Sequence, residues 1–264
     1  MNIEEYINRA ESGNPFDDMV TDGGMCAIFR SFTCVGDSLS SGEFESLDES
    51  GNRGYHDMYE HSWISHIGRH CGSEVHNFSC GGLSAETYIN GYADYRGFWD
   101  KKYRSDAYIF ALGVNDIIND HTPVGTIDDV DVADYRNNNH STFAGQYSEI
   151  ISRYKEIQPR AKMFLVTMPK DYKTKNDELK REHRDLLAKL CETFDNCYLI
   201  DLYTYAPRFD LEFKRKFFLG GHLNPAGYLL FSRMIETYID SIVRRNPDDF
   251  RQVGFIGTDL YYKG

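Results

Sequence analysis

No stretch of this chain approaches the roughly 18 consecutive apolar residues that a membrane-spanning helix needs, so a soluble protein is expected. Positive charge is also scarce. Lys and Arg number 29 against 41 Asp and Glu, a net charge of -12. A surface of that sign is repelled by phosphate backbones and anionic lipid, so neither nucleic acid nor a membrane is expected as a partner. The six cysteines (Cys26, Cys34, Cys71, Cys80, Cys191 and Cys197) contain no CxxC pair, and Cys26, Cys34 and Cys197 lie in or beside apolar, strand-like runs. Buried free thiols in a reducing cytoplasm are the reading this favours. The segment from Met1 to Asn14 carries Glu4, Glu5 and Glu11 where a secretory leader would be basic and then apolar, so it does not read as a signal peptide. Internal repeats, low-complexity tracts and linkers rich in glycine, proline or serine are missing as well. One domain of 264 residues is expected, and an aromatic share of 14% disfavours disorder.

What is present is an alternation of short β-rich runs with longer helical ones, the pattern of an α/β fold around a mostly parallel sheet. Five runs read as strands: Ala27 to Val35, Glu74 to Phe78, Ala107 to Leu112, Lys162 to Thr167 and Cys197 to Asp201. Apolar residues at helical spacing predict helices over His56 to Arg69, Phe143 to Ile157 and Asp177 to Phe194. A last helix is predicted after Asn224, which can cap free amides, with Pro225 at the first helical position, running toward Arg244. Asn119 to His140 is polar and aperiodic. At that length it reads either as a flap beside a site or as a surface insertion. The tail after Pro247 contains Phe255, Ile256 and Leu260, which must dock on the body or on a second subunit, so a homo-oligomer is left open.

In open parallel sheets, ligands bind beyond the carboxyl ends of the strands. The polar residues of this chain collect at those ends. The first run leads into Gly36, Asp37, Ser38, Leu39 and Ser40, the second into Gly81 and Gly82, and the third into Gly113, Val114, Asn115 and Asp116. Gly220, Gly221 and His222 stand immediately before the last helix. A serine nucleophile, a histidine base and aligned donors for an oxyanion are what acyl transfer requires.

The stretches VGDSLSSGE, NFSCGGLS, LGVND and GGHLNPAGY, in this order, resemble the four motif blocks of the SGNH hydrolases, also called GDSL esterases and lipases. The resemblance runs from Thr33 to about Arg244. It implies a three-layer α/β/α, flavodoxin-like sandwich with a five-stranded sheet, and ester cleavage through an acyl-enzyme with no metal and no cofactor. By the same resemblance Ser38 is the nucleophile and its amide an oxyanion donor, Gly82 and Asn115 supply the other two donors, and His222 is the general base. Asp37 and Asp116 are expected to orient turns. The family's aspartate three residues before the histidine is Leu219 here. A main-chain carbonyl of Leu219 or Gly220 is the favoured substitute, with a carboxylate from elsewhere, such as Asp201, Asp210 or Glu212, as the alternative.

Plainer readings compete. Ser38 could simply cap a helix, Asn115 could be a turn residue, and His56 with Glu60 or His66 with His70 could be metal ligands four apart on a helix. No HExxH, GxSxG or GxxxxGK[ST] is present, which argues against zinc proteolysis, the α/β-hydrolase elbow and nucleotide hydrolysis. The expectation is a cytoplasmic serine esterase acting on small, acetyl-like esters of a carbohydrate or other polar alcohol. Tyr55, Tyr59, Tyr88 and Trp99 are candidate stacking platforms. A lipase, lysophospholipase or thioesterase, or a catalytically weak binding protein, are the alternatives.

Overall fold

A computed structural model of the chain describes residues 13–17, 19–20 and 22–263; the segment read as lacking a leader lies outside these apart from 13 and 14. In chain order the strands are β1 (Ser31–Gly36), β2 (Glu43–Leu47), β3 (Arg53–Asp57), β4 (Glu74–Asn77), β5 (Ala107–Ala111), β6 (Lys162–Val166), β7 (Cys197–Ile200) and the two-residue β8 (Phe218–Leu219) and β9 (His222–Leu223). Five of them form one sheet in the order β4-β1-β5-β6-β7, and all four pairings are parallel. The order reverses beside β1, so the ends of β1 and β5 border the crevice where ligands bind in such sheets.

The longest helices among the described residues are α1 (Trp63–Cys71), α2 (Phe143–Ile157), α3 (Asp177–Thr193) and α4 (Pro225–Arg245). They cover both faces, because successive strand residues point to opposite sides. Tyr108, Phe110, Met163 and Leu165 meet Tyr147, Ile151 and Leu187 of α2 and α3. Their neighbours Ala107, Ile109, Phe164 and Val166 meet Trp63, Ile67, Tyr228 and Ile235 of α1 and α4. Burying a side chain of that size is worth about 1.5 to 3 kcal/mol, so each face is a substantial core.

Two boundaries differ from expectation. The first strand begins at Ser31, because Gly23 and Gly24 adopt positive φ and turn Gly24–Ile28 into a 3-10 helix. The helix predicted from His56 begins only at Trp63. Residues up to Asp57 belong to β3, and the Ser62 hydroxyl caps α1 by accepting from Ser65 N. The hairpin β2–β3 was not anticipated. Asn224 caps α4 by accepting from Gly227 N, with Pro225 in the first turn as predicted.

The 119–140 segment is fastened to α2. Phe143 and Ala144 donate main-chain bonds to Pro123 and Val124, and the Arg136 guanidinium pairs with Glu156 at 2.8 Å. The tail docks on the body through Ile256, which is buried, and through Arg160, which donates to the carbonyls of Phe255, Thr258 and Leu260; the Leu260 side chain, expected to dock with them, is exposed instead, because its main chain and not its side chain meets the body. Among the described residues no helix is long and apolar enough to cross a membrane, and all six cysteines are free thiols.

Candidate active site

The site begins where β1 ends. At Gly36 a Cβ would stand 2.3 Å from Ser40 Oγ and 3.1 Å from the Ala111 carbonyl, so only glycine lets the chain turn there. Asp37 follows and caps a short helical turn, Ser38–Ser41, by accepting from Leu39 N at 3.0 Å. Burial pushes the Asp37 carboxyl up to about 7. Ser38 is half-buried at the head of the turn. Its carbonyl accepts from the Ser41 hydroxyl at 3.1 Å and from the Tyr228 hydroxyl of α4 at 3.4 Å.

Hydrogen bonds tie the neighbouring turns to this one. The Asn77 side chain at the end of β4 donates to the Ser40 carbonyl at 2.8 Å. Beyond it the chain passes through Gly82, whose φ of 74° favours glycine. Asn115, after β5, donates to the Leu83 carbonyl at 2.9 Å, and among the described residues the second hydrogen of its amide meets no acceptor. Asp116 accepts from Ala85 N at 2.7 Å, and burial pushes its carboxyl up to about 6. Asp37 and Asp116 thus both hold turns, as expected of them. Among the described residues the amides of Ser38 and Gly82 donate to no other group, so three donors stand at adjoining turns.

His222 arrives from a separate direction. Phe218–Leu219 and His222–Leu223 pair antiparallel around Gly220 and Gly221, with Leu219 opposite His222. The imidazole is 16% exposed. Its Nδ1 meets Glu45 Oε1 at 2.9 Å, and the same oxygen accepts from Gly221 N at 2.5 Å. Burial pushes Glu45 up, but the Gly221 amide, His222 and Arg53 outweigh it and hold the carboxyl below the usual range. Nε2 lies 3.0 Å from Glu43 Oε1, and burial raises Glu43 against the opposing charge of His222. The Ser38 hydroxyl itself makes no hydrogen bond to the imidazole among the described residues.

The acceptor expected at Leu219 or Gly220 is therefore replaced by Glu45. Leu219 is occupied in pairing with His222, while the hairpin brings a carboxylate to Nδ1. The other carboxylates considered are committed elsewhere. Asp201 pairs with Arg184 at 3.0 Å, Asp210 caps Phe213 N at 2.8 Å, and Glu212 pairs with Lys216 at 2.8 Å.

Glu43 and Glu45 were missed. They are two residues apart on β2, so they share a face, and a serine turn followed by alternating polar residues was the available signal. Asp57 of β3 completes that face: it accepts from the Ser41 hydroxyl and, at 3.4 Å, from Gly81 N.

The histidines weighed as metal ligands go separate ways. His56 meets Ser46 Oγ at 2.8 Å, His66 the Arg69 guanidinium at 2.9 Å, and His70 Glu236 at 2.8 Å. Among the described residues no three His, Cys, Asp or Glu side chains converge as metal ligands. Of the candidate platforms, Tyr88 is fully buried and Tyr59 and Trp99 are partly buried, whereas Tyr55 is exposed.

A model of the GDSL-like Lipase/Acylhydrolase family matches residues 34–230. No curated protein matches the sequence. Among solved structures, a family two carbohydrate esterase from Clostridium thermocellum in complex with cellohexaose has a TM-score of 0.57 at 15% identity, over 83% of this chain and 65% of that one. A carbohydrate esterase family 2 enzyme plus carbohydrate binding domain from Corynascus thermopiles (Myceliophthora fergusii) gives 0.55 at 15%, over 81% and 66%. This chain thus spans about two thirds of those two proteins. A Clostridium thermocellum family 3 carbohydrate esterase gives 0.51 at 13%, over 81% and 97%. At these identities the likeness is one of fold.

Proposed function

Because the chain belongs to the GDSL-like lipase/acylhydrolase family, we propose that it is a serine esterase that removes small acyl groups, acetyl above all, from carbohydrates or other polar alcohols. The observation that carries this reading is the 2.9 Å contact of Glu45 with His222 Nδ1. It supplies the acidic partner that the local motif lacks, and a carboxylate there favours a proton on Nδ1, leaving Nε2 as the base once the serine hydroxyl takes the place of Glu43.

In the proposed reaction the Ser38 oxygen attacks the ester carbonyl while its proton passes to Nε2, which exchanges its contact with Glu43 for the hydroxyl. Glu45 stabilises the imidazolium that results. The Ser38 and Gly82 amides and the free hydrogen of the Asn115 amide receive the oxyanion. Collapse breaks the bond to the alcohol, which leaves with the proton from Nε2, and an acyl-serine remains. Water then attacks by the same route and releases the acid and the free serine.

A small cavity of about 40 Å³ lies between the ends of β1, β5 and β6, lined by Leu39, Ala111, Leu112, Val114 and Met168 among others. Ser38, Gly82, Asn115 and His222 do not line it, so the preference for a short acyl chain rests on the likeness to carbohydrate esterases and not on this cavity. Hydrolysis of ethyl acetate and ethyl octanoate by the protein and by Ser38→Ala tests the reading. The substitution is expected to lower turnover of the acetate at least about 1,000-fold. Equal rates in both proteins would make it no serine esterase, and a preference for octanoate would favour a lipase.

A further inference from the structure

The β2–β3 hairpin presents two unlike faces. Antiparallel pairing sets Glu43 opposite Asp57 and Glu45 opposite Tyr55, and directly opposed residues point to the same side. On that side Glu43 and Glu45 reach His222, and Asp57 reaches the turns of Ser41 and Gly81. Tyr55 completes the row. Its ring stands edge-on to the imidazole with centroids 6.0 Å apart, yet the residue is 55% exposed. A tyrosine that served only to pack would bury its ring, and this one leaves most of it in solvent beside the base.

The chemistry of acyl transfer says what should lie there. The acyl half of the ester stays on Ser38, whereas the alcohol half departs with the proton from His222 Nε2. The leaving alcohol therefore sits beside the imidazole, the ring that Tyr55 flanks edge-on. An aromatic face accepts an apolar, disc-shaped partner, and the C–H face of a pyranose is such a surface. The carboxylates alongside can accept from ring hydroxyls, and together they oppose a negatively charged alcohol.

Resting on the esterase reading, we propose that Tyr55 is the stacking platform for a neutral sugar ring in the leaving alcohol, which makes the hairpin the specificity-determining wall of the alcohol subsite.

Steady-state kinetics with methyl 6-O-acetyl-glucopyranoside, a 4-phosphorylated form of it and ethyl acetate test this. Tyr55→Ala is expected to raise KM for the acetyl glucoside about three- to tenfold with kcat within about twofold, and to leave ethyl acetate unchanged. Tyr55→Phe and Tyr55→Trp are expected to restore the glucoside KM. The phosphorylated glucoside should have a kcat/KM at least about tenfold below the neutral one. An equal loss on ethyl acetate, a loss confined to kcat, or no change at all would overturn the platform. Parity of the two glucosides, or failure of the unaltered protein to cleave the neutral one while it cleaves ethyl acetate, would also overturn it. Ser38→Ala run alongside keeps the two levels apart. An active serine variant defeats the esterase reading itself, whereas a silent serine variant with an indifferent Tyr55→Ala defeats only the platform.

Discussion

The five-stranded sheet and the β2–β3 hairpin meet at His222 and are held by different forces. The sheet is apolar on both faces. Val35, Tyr108, Phe110 and Leu165 are buried on one side and Cys34, Ile109 and Phe164 on the other, so its turns are fixed by packing. The hairpin buries little. Its inward anchors are Phe44, which packs against Tyr228 and His61 at 5.6 Å, and the Tyr228 hydroxyl, which donates to the Glu43 carbonyl at 2.8 Å. Correspondingly, the sheet delivers main-chain and amide donors through Ser38, Gly82 and Asn115, and the hairpin delivers charge through Glu43, Glu45 and Asp57. In the proposed reaction the neutral donors, which must be placed accurately, stand on the element packed on both faces. The carboxylates, whose field acts over a longer range, stand on the lighter one.

The division is broken most directly at Glu45. Glu45→Ala removes the acceptor from Nδ1 and is expected to lower kcat about 1,000- to 10,000-fold with little change in KM. Glu43→Gln, which leaves Nδ1 untouched, should keep kcat within about tenfold. Rates measured on ethyl acetate for both variants decide the matter. If Glu43→Gln proves the more damaging, the carboxylate at Nε2 is the working one and the hairpin's role must be reassigned.

On the sheet side the matching test is Asn115→Ala. Losing one oxyanion donor costs about 100- to 1,000-fold in kcat. The Leu83 carbonyl would lose its partner as well, so the melting temperature should be followed in parallel. A drop below about tenfold would mean that the second amide hydrogen of Asn115 does not face the oxyanion.

The same contrast explains what could be read from the chain beforehand. Strands form within all five predicted runs: Ala107 to Leu112, Lys162 to Thr167 and Cys197 to Asp201 are mostly apolar, as a sheet buried on both sides demands, whereas Ala27 to Val35 and the edge run Glu74 to Phe78 carry polar residues among the apolar ones. The glycine and asparagine turns were legible as well, since they follow those strands directly. The hairpin was not. Its sequence from Glu43 to Asp57 offers Phe44, Leu47 and Tyr55 among charged and polar residues, and the spacing of Tyr59, Trp63 and Ile67 drew His56 into a helix. Glu45 lies 177 residues from His222, so no local pattern joins them. Only the alternation of Glu43 and Glu45, read as one face of a strand behind the serine turn, could have pointed there.

The gentlest way to sharpen the contrast is pH. Glu45 on the hairpin is held below the ordinary carboxylate range, so its contribution to stability is present above the unfolded value and is lost as the pH falls. Asp37 on the sheet behaves oppositely. Burial pushes it up to about 7 from 3.8, so between those values the folded protein holds a proton that the unfolded chain has released. Its ionisation therefore costs stability as pH rises, and the whole cost is felt above about 7. Asn at this position never ionises, and its side-chain oxygen can still accept from Leu39 N and cap the turn. The gain is partial, because the new amide hydrogens need acceptors of their own in a buried place. Urea denaturation of Asp37→Asn is accordingly expected to show no gain near pH 4 and a gain on the order of 2 kcal/mol at pH 8. A difference that stays constant between pH 4 and pH 8 would mean that Asp37 ionises alike in both states, and burial at the sheet end would then leave its carboxyl unshifted.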